Sequence, residues 1–287
     1  MADFASFGES EKPARGETRS EIPHARTMTR RDAHRGETEI TVFGRHPVLE
    51  AIRSQGAEVC EVKLVKGPAT PDRRALRQAA ISAGIAIEEI SRQELSRYTG
   101  APKHDQGVAA RLRLMRVIEV DAFVEASKGR AARRPSRVIA LDGVTNSQNV
   151  GMVVRCVVGA GLDGILWPMR GQPWINGLVV RAAAGSIFEC PVIRCGSLTM
   201  GLAALQAGGF SCVGLDAAAG RSLFDTDLSH RAVFVLGSET TGLSEDVCGL
   251  LDDRVSIPMA GPIESLNVAV AAGLVCFHIG GLMHRRR

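Results

Sequence analysis

Apolar and polar positions alternate in two long stretches of this chain, with two different rhythms. Over 39–112 the strands are short and half-apolar. The run 39–44 is β-branched and stops at Gly44. Residues 45–53 then place Val48, Leu49 and Ile52 on one helical face, with Pro47 in the first turn. The same grammar predicts a strand over 59–65, a helix over 71–83 stopped by Gly84, a strand over 85–90 and a short helix over 93–98. A turn at 103–107 and a strand over 108–112 complete it. Strands alternating with helices predict a small α/β domain.

The second rhythm starts near residue 138, and its strands are almost continuously apolar. They cover 138–142, 163–168, 191–193, 210–215 and 232–236, and the last is the most apolar. Helical periods fall between them at 149–159, capped by the Asn/Ser/Gln cluster just before it, and at 179–184, 198–207 and 243–251. A strand over 254–257 stops at Pro258, and after a Gly/Pro loop Ser265 opens an apolar run that ends near Phe277. Such strands predict a mostly parallel sheet covered on both faces. Residues 39–115 and 137–287 are therefore two domains, joined by a connector over 116–136. That connector holds one short helix and a flexible basic run over 128–137, which is either a solvated linker or a phosphate contact. Residues 1–38 read as a disordered tail, because seven basic and seven acidic residues are interleaved with few large apolar ones.

Bulk composition narrows this picture only a little. Aromatic residues are 4 % of the chain, so the cores rest on aliphatic side chains. A formal net charge of +4 permits a polyanionic partner without requiring one. The seven cysteines form no CxxC pair and no metal-ligand spacing, and they read as reduced thiols of a cytoplasmic protein. No metal is expected, and no membrane contact, since no apolar run reaches spanning length.

Chemistry concentrates where second-domain strands hand over to helices. Asn149 and Arg155 follow the first strand, Glu239 follows the most apolar one, and Ser265 and Asn267 follow the last. In a parallel sheet these strand ends share one edge, where ligands bind. Gly237 and Gly242 allow close backbone approach. Each residue also has a purely structural alternative. Asn149 and Ser265 suit helix N-caps, Glu239 can cap its own loop, and Arg155 can snorkel or pair with an acid. No nucleophile elbow, triad or phosphate loop is present, which argues against a hydrolase.

Three blocks carry a resemblance: Asn149-Val-Gly-Met-Val-Val-Arg155, Leu236-Gly-Ser-Glu-Thr-Thr-Gly-Leu243, and Ile257-Pro-Met-Ala-Gly-Pro-Ile-Glu-Ser-Leu-Asn-Val268. In this order they resemble the three motifs of the SpoU/TrmH family of RNA ribose 2′-O-methyltransferases, of the SPOUT class. Phe43-Gly-Arg-His-Pro-Val-Leu-Glu-Ala51 and His104-Asp-Gln-Gly-Val108 are similar to the RNA-substrate-binding domain that precedes many such catalytic domains. Two departures stand out. Thr145-Asn-Ser-Gln148 replaces the usual Asp-Pro, and Asp105 separates a His from the Gln-Gly it commonly adjoins.

The resemblance implies a trefoil knot in the C-terminal sheet, bound S-adenosylmethionine, and a homodimer through the apolar final helix. It implies cofactor contacts at Leu236, Gly237, Gly242, Ile257, Met259 and Leu266. Asn149, Glu239, Ser265 and Asn267 would organise the site, with Arg155 acting on the 2′-hydroxyl. Arg45, Lys103 and His104 are candidate RNA contacts. The separate first domain points to a guanosine of large-subunit ribosomal RNA. A tRNA substrate, or a non-catalytic role in ribosome assembly, is the alternative.

Overall fold

The first sheet has the strand order β1-β4-β2-β3, in a computed structural model that describes residues 38–131, 135–171, 174–226 and 230–281. The predicted tail therefore lies outside the described residues, apart from Thr38. In chain order the elements are β1 (Glu39–Phe43), α1 (Arg45–Arg53), β2 (Ala57–Val65), α2 (Pro71–Ser82), β3 (Ile87–Ile90), α3 (Arg92–Thr99) and β4 (Val108–Leu114). β4 runs antiparallel to both β1 and β2, and β2 runs parallel to β3. Local signals define the helix ends. Thr70 caps α2, Ser91 and Glu94 form a reciprocal capping box on α3, and Gly100 ends α3 in the left-handed region.

Val42, Val62, Ala110 and Leu112 send one face of this sheet into the core. The other face carries Arg111 and Arg113, but both are matched by acids. Arg111 pairs with Glu39 at 3.2 Å and Glu61 at 3.3 Å, and Arg113 pairs with Glu39 at 3.2 Å and Glu58 at 2.5 Å. This face is thus close to self-neutralised.

The second sheet has seven strands in the order β11-β9-β10-β6-β7-β8-β5, all paired in parallel. Its elements are β5 (Val117–Glu119), α4 (Val120–Ala131), β6 (Ser136–Asp142), α5 (Ser147–Gly159), β7 (Gly164–Pro168), α6 (Gly177–Ala182), β8 (Val192–Cys195), α7 (Leu198–Ala207), β9 (Ser211–Leu215), β10 (Arg231–Gly237), α8 (Glu245–Cys248), β11 (Asp253–Val255) and α9 (Val268–Ile279). The continuous apolar strands are explained by two-sided burial. Along β6, Ile139 and Leu141 face the layer of α5 and α9, while Val138 and Ala140 face the layer of α4 and α7.

Three sequence expectations change. The connector over 116–136 is part of this sheet: β5 pairs with β8, and α4 packs on α7. Phe123 of α4 stacks near Phe210 with ring centroids 5.9 Å apart. A three-residue edge strand has too little period to be read, although Glu119 is anchored by Arg194 at 2.6 Å. Residues 132–134 of the basic run lie outside the described residues. The helix expected over 243–251 shrinks to Glu245–Cys248, and the last strand ends at Val255.

The two domains interlock where side chains are absent. A Cβ on Gly56 would lie 1.6 Å from the Phe188 carbonyl oxygen, and one on Gly177 would lie 2.3 Å from the Phe43 ring. The cysteines are free thiols, and burial pushes Cys190, Cys195 and Cys212 up to about 12, which keeps them protonated. Among the described residues no helix is long and apolar enough to cross a membrane.

Candidate active site

β10 lies in the sheet interior between β9 and β6 and ends at Gly237. The chain then doubles back tightly. Ser238 N–H donates to the Gly242 carbonyl at 3.1 Å, and Gly242 N–H donates to the Ser238 carbonyl at 2.9 Å. Gly242 holds φ +66°, and a Cβ on Gly237 would lie 2.2 Å from the Gly242 carbonyl carbon. Both glycines are therefore needed, one for conformation and one for space. The loop pushes Glu239 outward, where it is exposed.

Opposite this loop, the chain beyond β11 passes through Ile257 and Met259 to Ser265 and Leu266. Between them is a cleft of about 400 Å³, walled by Leu236, Ile257 and Leu266 and edged by Glu239, Glu264 and Ser265. Gly237, Gly242 and Met259 complete the expected lining. The volume suits a small molecule, and apolar walls with a few polar groups are the usual composition of such a site. Asp216 and Arg254 also line it and pair at 3.2 Å. Sequence reading passed over Asp216, although it directly follows a strand end, as Glu239 nearly does.

A hydrogen-bond network closes one side of the cleft. Glu239 Oε1 accepts from Asn149 Nδ2 at 3.0 Å, from Asn267 Nδ2, and from Val268 N–H at 3.2 Å. Asn267 Nδ2 also donates to Asn149 Oδ1 at 3.2 Å. Residues 90 and 118 positions apart in sequence thus meet at one carboxylate oxygen. The Glu239 charge sits at the N-terminus of α9, where the helix dipole favours an anion.

Hydrogen bonds also decide the two helix starts. Asn146, not Asn149, caps α5, accepting from Gln148 N–H at 2.8 Å and Asn149 N–H at 3.4 Å. Asn149 is thereby free to turn its buried amide toward Glu239. Asn267, not Ser265, caps α9, accepting from Ala269 N–H at 3.0 Å. The final helix begins at Val268, and Ser265 belongs to the cleft loop.

Arg155 is not brought into the cleft of its own chain. It lies six residues beyond Asn149 on α5, about 9 Å along the axis and on another face. It is exposed and has no ion pair among the described residues, so the structural-pair alternative falls. Of the candidate RNA contacts, Arg45 pairs with Asp72 at 2.5 Å and Lys103 is exposed. His104 Nδ1 accepts from Arg181 Nη1 at 2.7 Å. Asp105, the extra residue in the His-Gln-Gly pattern, is fully buried. It accepts from Gly107 N–H at 2.9 Å and pairs with Arg92, so it braces the turn that carries His104.

Residues 136–277 match the SpoU rRNA Methylase family, and residues 41–116 match the RNA 2′-O ribose methyltransferase substrate binding family. A protein of Mycobacterium avium, named an uncharacterized tRNA/rRNA methyltransferase, is 38 % identical over 257 residues, covering 89 % of this chain and 81 % of its own length. The chain belongs to the SpoU family. A Mycobacterium tuberculosis relative of the same name is 36 % identical over 265 residues, covering 92 % of this SpoU chain and 80 % of its own. Among solved structures, the SpoU methyltransferase AviRb from Streptomyces viridochromogenes, in complex with AdoMet, superposes with a TM-score of 0.68 at 23 % identity, over 90 % of this chain and 95 % of that one. The AdoMet-bound rRNA methyltransferase from Sinorhizobium meliloti gives 0.66 at 22 %, over 88 % and 91 %. At that identity the likeness is one of fold. As a SpoU protein the chain is an RNA methyltransferase.

Proposed function

We propose that this SpoU protein transfers a methyl group from S-adenosylmethionine to a ribose 2′-hydroxyl of structured RNA, at a guanosine of large-subunit ribosomal RNA. The observation that carries this reading is the Asn149–Glu239–Asn267 network beside a cleft formed by two loops of matching motif. The cleft also fits the cofactor by its chemistry. Leu236, Ile257 and Leu266 provide apolar walls for a nucleoside, and Glu239 and Glu264 provide carboxylates for its cationic part. When bound, S-adenosylmethionine supplies a methyl group on a sulfonium that is already a good leaving group.

The protein's own work is therefore to orient the acceptor and manage its proton. Glu239, Asn149 and Asn267 fix the mouth of the cleft, and Ser265 offers a hydroxyl beside it. A guanidinium is a donor with no acceptor site, so Arg155 is not read as a general base. Its role in this reading is to hold a neighbouring phosphate and stabilise the developing alkoxide. The first domain, residues 39–115, would bind the RNA, and its presence as a separate unit supports a ribosomal target. A second copy would cover α9, where Val270 and Phe277 are 53 % and 39 % exposed on one helical stripe.

Arg155→Ala is expected to abolish methyl transfer while S-adenosylmethionine affinity, measured by calorimetry, stays within about twofold, since Arg155 lies outside the cleft. Equal loss of both would remove the assignment. The reaction itself is tested by mapping ribose methylation in total RNA from cells with and without the protein. One guanosine of large-subunit ribosomal RNA should lose its methyl group. Unchanged ribosomal and transfer RNA would defeat the enzymatic reading of the target.

A further inference from the structure

A second cavity, of about 580 Å³, lies where the two domains meet. Its walls come from His104 of the first domain, from Asn146, Ser147 and Gln148 at the start of α5, and from Leu178 and Arg181 of α6. None of its lining residues is a carboxylate. Leu178 and Arg181 are three residues apart on α6, so both face the junction. The floor is tied together, because Asn176 Nδ2, at the cap of α6, donates to Ser147 Oγ at 3.4 Å. Beyond His104 and Arg181 lies a cavity of about 400 Å³ that both residues also line, and it runs past Gly44, His46, Gln106 and the carboxylate of Glu50, which makes no ion pair with Arg181. The His104–Arg181 pair stands between the two.

Arg181, like Arg155, meets no carboxylate among the described residues, but it alone of the two is held by a side chain from the other domain. Arg45, Arg73, Arg77, Arg92, Arg111 and Arg113 all meet carboxylates. Arg181 has no carboxylate partner among the described residues, and its hydrogen bond goes to a ring nitrogen. Accepting there puts the imidazole proton on Nε2, which leaves His104 a second donor. The guanidinium is therefore oriented but not neutralised, with most of its five donors left for an oxyanion. The groove also leads to the reaction site. Gln148 lines it, and the next residue, Asn149, belongs to the Glu239 network. Seven residues beyond Gln148, about 10 Å along the same face of α5, stands Arg155. Exposed Met152 lies between them. Thr145 to Gln148 is also where this chain departs from its family's pattern, so the departure falls on the groove wall.

We propose that the domain-junction groove seats a phosphodiester of the substrate RNA next to the acceptor nucleotide, with Arg181 gripping the phosphate and His104 and Gln148 beside it. The occupant rests on the function proposed above, but the site is testable by RNA binding alone. The probe is deproteinised large-subunit ribosomal RNA, titrated at several salt concentrations against wild type, Arg181→Ala, Arg181→Lys and His104→Ala. Arg181→Ala should raise the Kd at least about tenfold and reduce the slope of log affinity against log salt by about one. S-adenosylmethionine affinity should not change. Arg181→Lys should keep the slope and recover part of the affinity, because it keeps charge but loses the fork. His104→Ala should weaken binding less than Arg181→Ala.

If the pair were only a strut between domains, both alanine variants would lower the thermal midpoint and leave the salt slope at its wild-type value, and the proposal would fall. It falls too if wild type does not retain this RNA at low salt. The two readings separate cleanly. Arg181-dependent RNA binding without methyl transfer would sink the enzymatic reading and keep the groove. Methyl transfer by Arg181→Ala at wild-type KM would sink the groove and keep the enzyme.

Discussion

Glu239→Ala is expected to slow methyl transfer by about 10²–10³-fold, with a smaller loss of cofactor affinity. One oxygen, Oε1, accepts from two asparagine amides and from a backbone N–H at the start of α9. Its removal strands the Asn149 amide, while Asn267 Nδ2 keeps Asn149 Oδ1 as an acceptor and lies exposed to water. The Asn149 amide is the costly one, because Asn149 is only 6 % exposed and cannot rehydrate freely. Stranding it costs about 1–3 kcal/mol, and α9 also loses an anion at its positive end. The Asn149 amide should then leave its position, and the acceptor site with it. Because Asn267 still caps α9, the fold should survive, with a thermal midpoint lowered by only a few degrees. Glu239→Gln sharpens the test. It keeps one oxygen where Oε1 accepts all three donors but removes the anion from the start of α9, so its rate should be intermediate. Single-turnover rates, measured beside cofactor dissociation constants, decide the matter. A wild-type rate in Glu239→Ala would reduce the network to a helix cap.

The readable parts of this chain were those governed by local periodicity. Strand 232–236 was legible as interior because β10 is buried on both sides, so no polar position interrupts it. The corner at Gly237 and Glu239 was legible because a strand end, two glycines and an acid fall within a few residues. Signals failed where two residues competed for one role. Ser265 and Asn267 are both good N-cap types before an apolar run. What decides between them is the bend of 263–267 into the cleft, and that depends on Glu239, 28 residues away. Asn149 suits a cap as well as the Asn/Ser/Gln cluster before it, and the cap is Asn146 of that cluster.

Arg155 teaches a different lesson. Grouping it with Asn149 came from the family motif. The helical wheel, available from sequence alone, separates six residues by 600°, which puts the two side chains on different faces. β5 and the His104–Arg181 contact had no local signal to give. A three-residue edge strand has no measurable period, and a pair 77 residues apart exists only once the two domains dock.

Gly237→Ala is expected to abolish cofactor binding and methyl transfer together, unlike Arg155→Ala, where the two should separate. The added Cβ would sit 2.2 Å from the Gly242 carbonyl carbon, 2.3 Å from its oxygen and 2.6 Å from the Leu243 nitrogen. All three are backbone atoms, so no rotamer can relieve the clash. The loop over 238–242 must open, breaking both Ser238–Gly242 hydrogen bonds and carrying Glu239 away from Asn149. Overpacking of this kind costs about 1–3 kcal/mol of stability, while the cleft loses an entire wall. Cofactor affinity should fall at least about 100-fold, an equivalent of roughly 3 kcal/mol. Gly242→Ala separates sterics from conformation. There a Cβ meets nothing within 4 Å, but φ is +66°, so the cost is a left-handed strain of about 1–2 kcal/mol. That variant should keep its loop closed and bind within about tenfold of wild type. Calorimetric titration with S-adenosylmethionine, beside circular-dichroism melts, would rank the two. If Gly237→Ala bound as well as Gly242→Ala, close packing of the 237 and 242 backbones would not be what shapes the cleft.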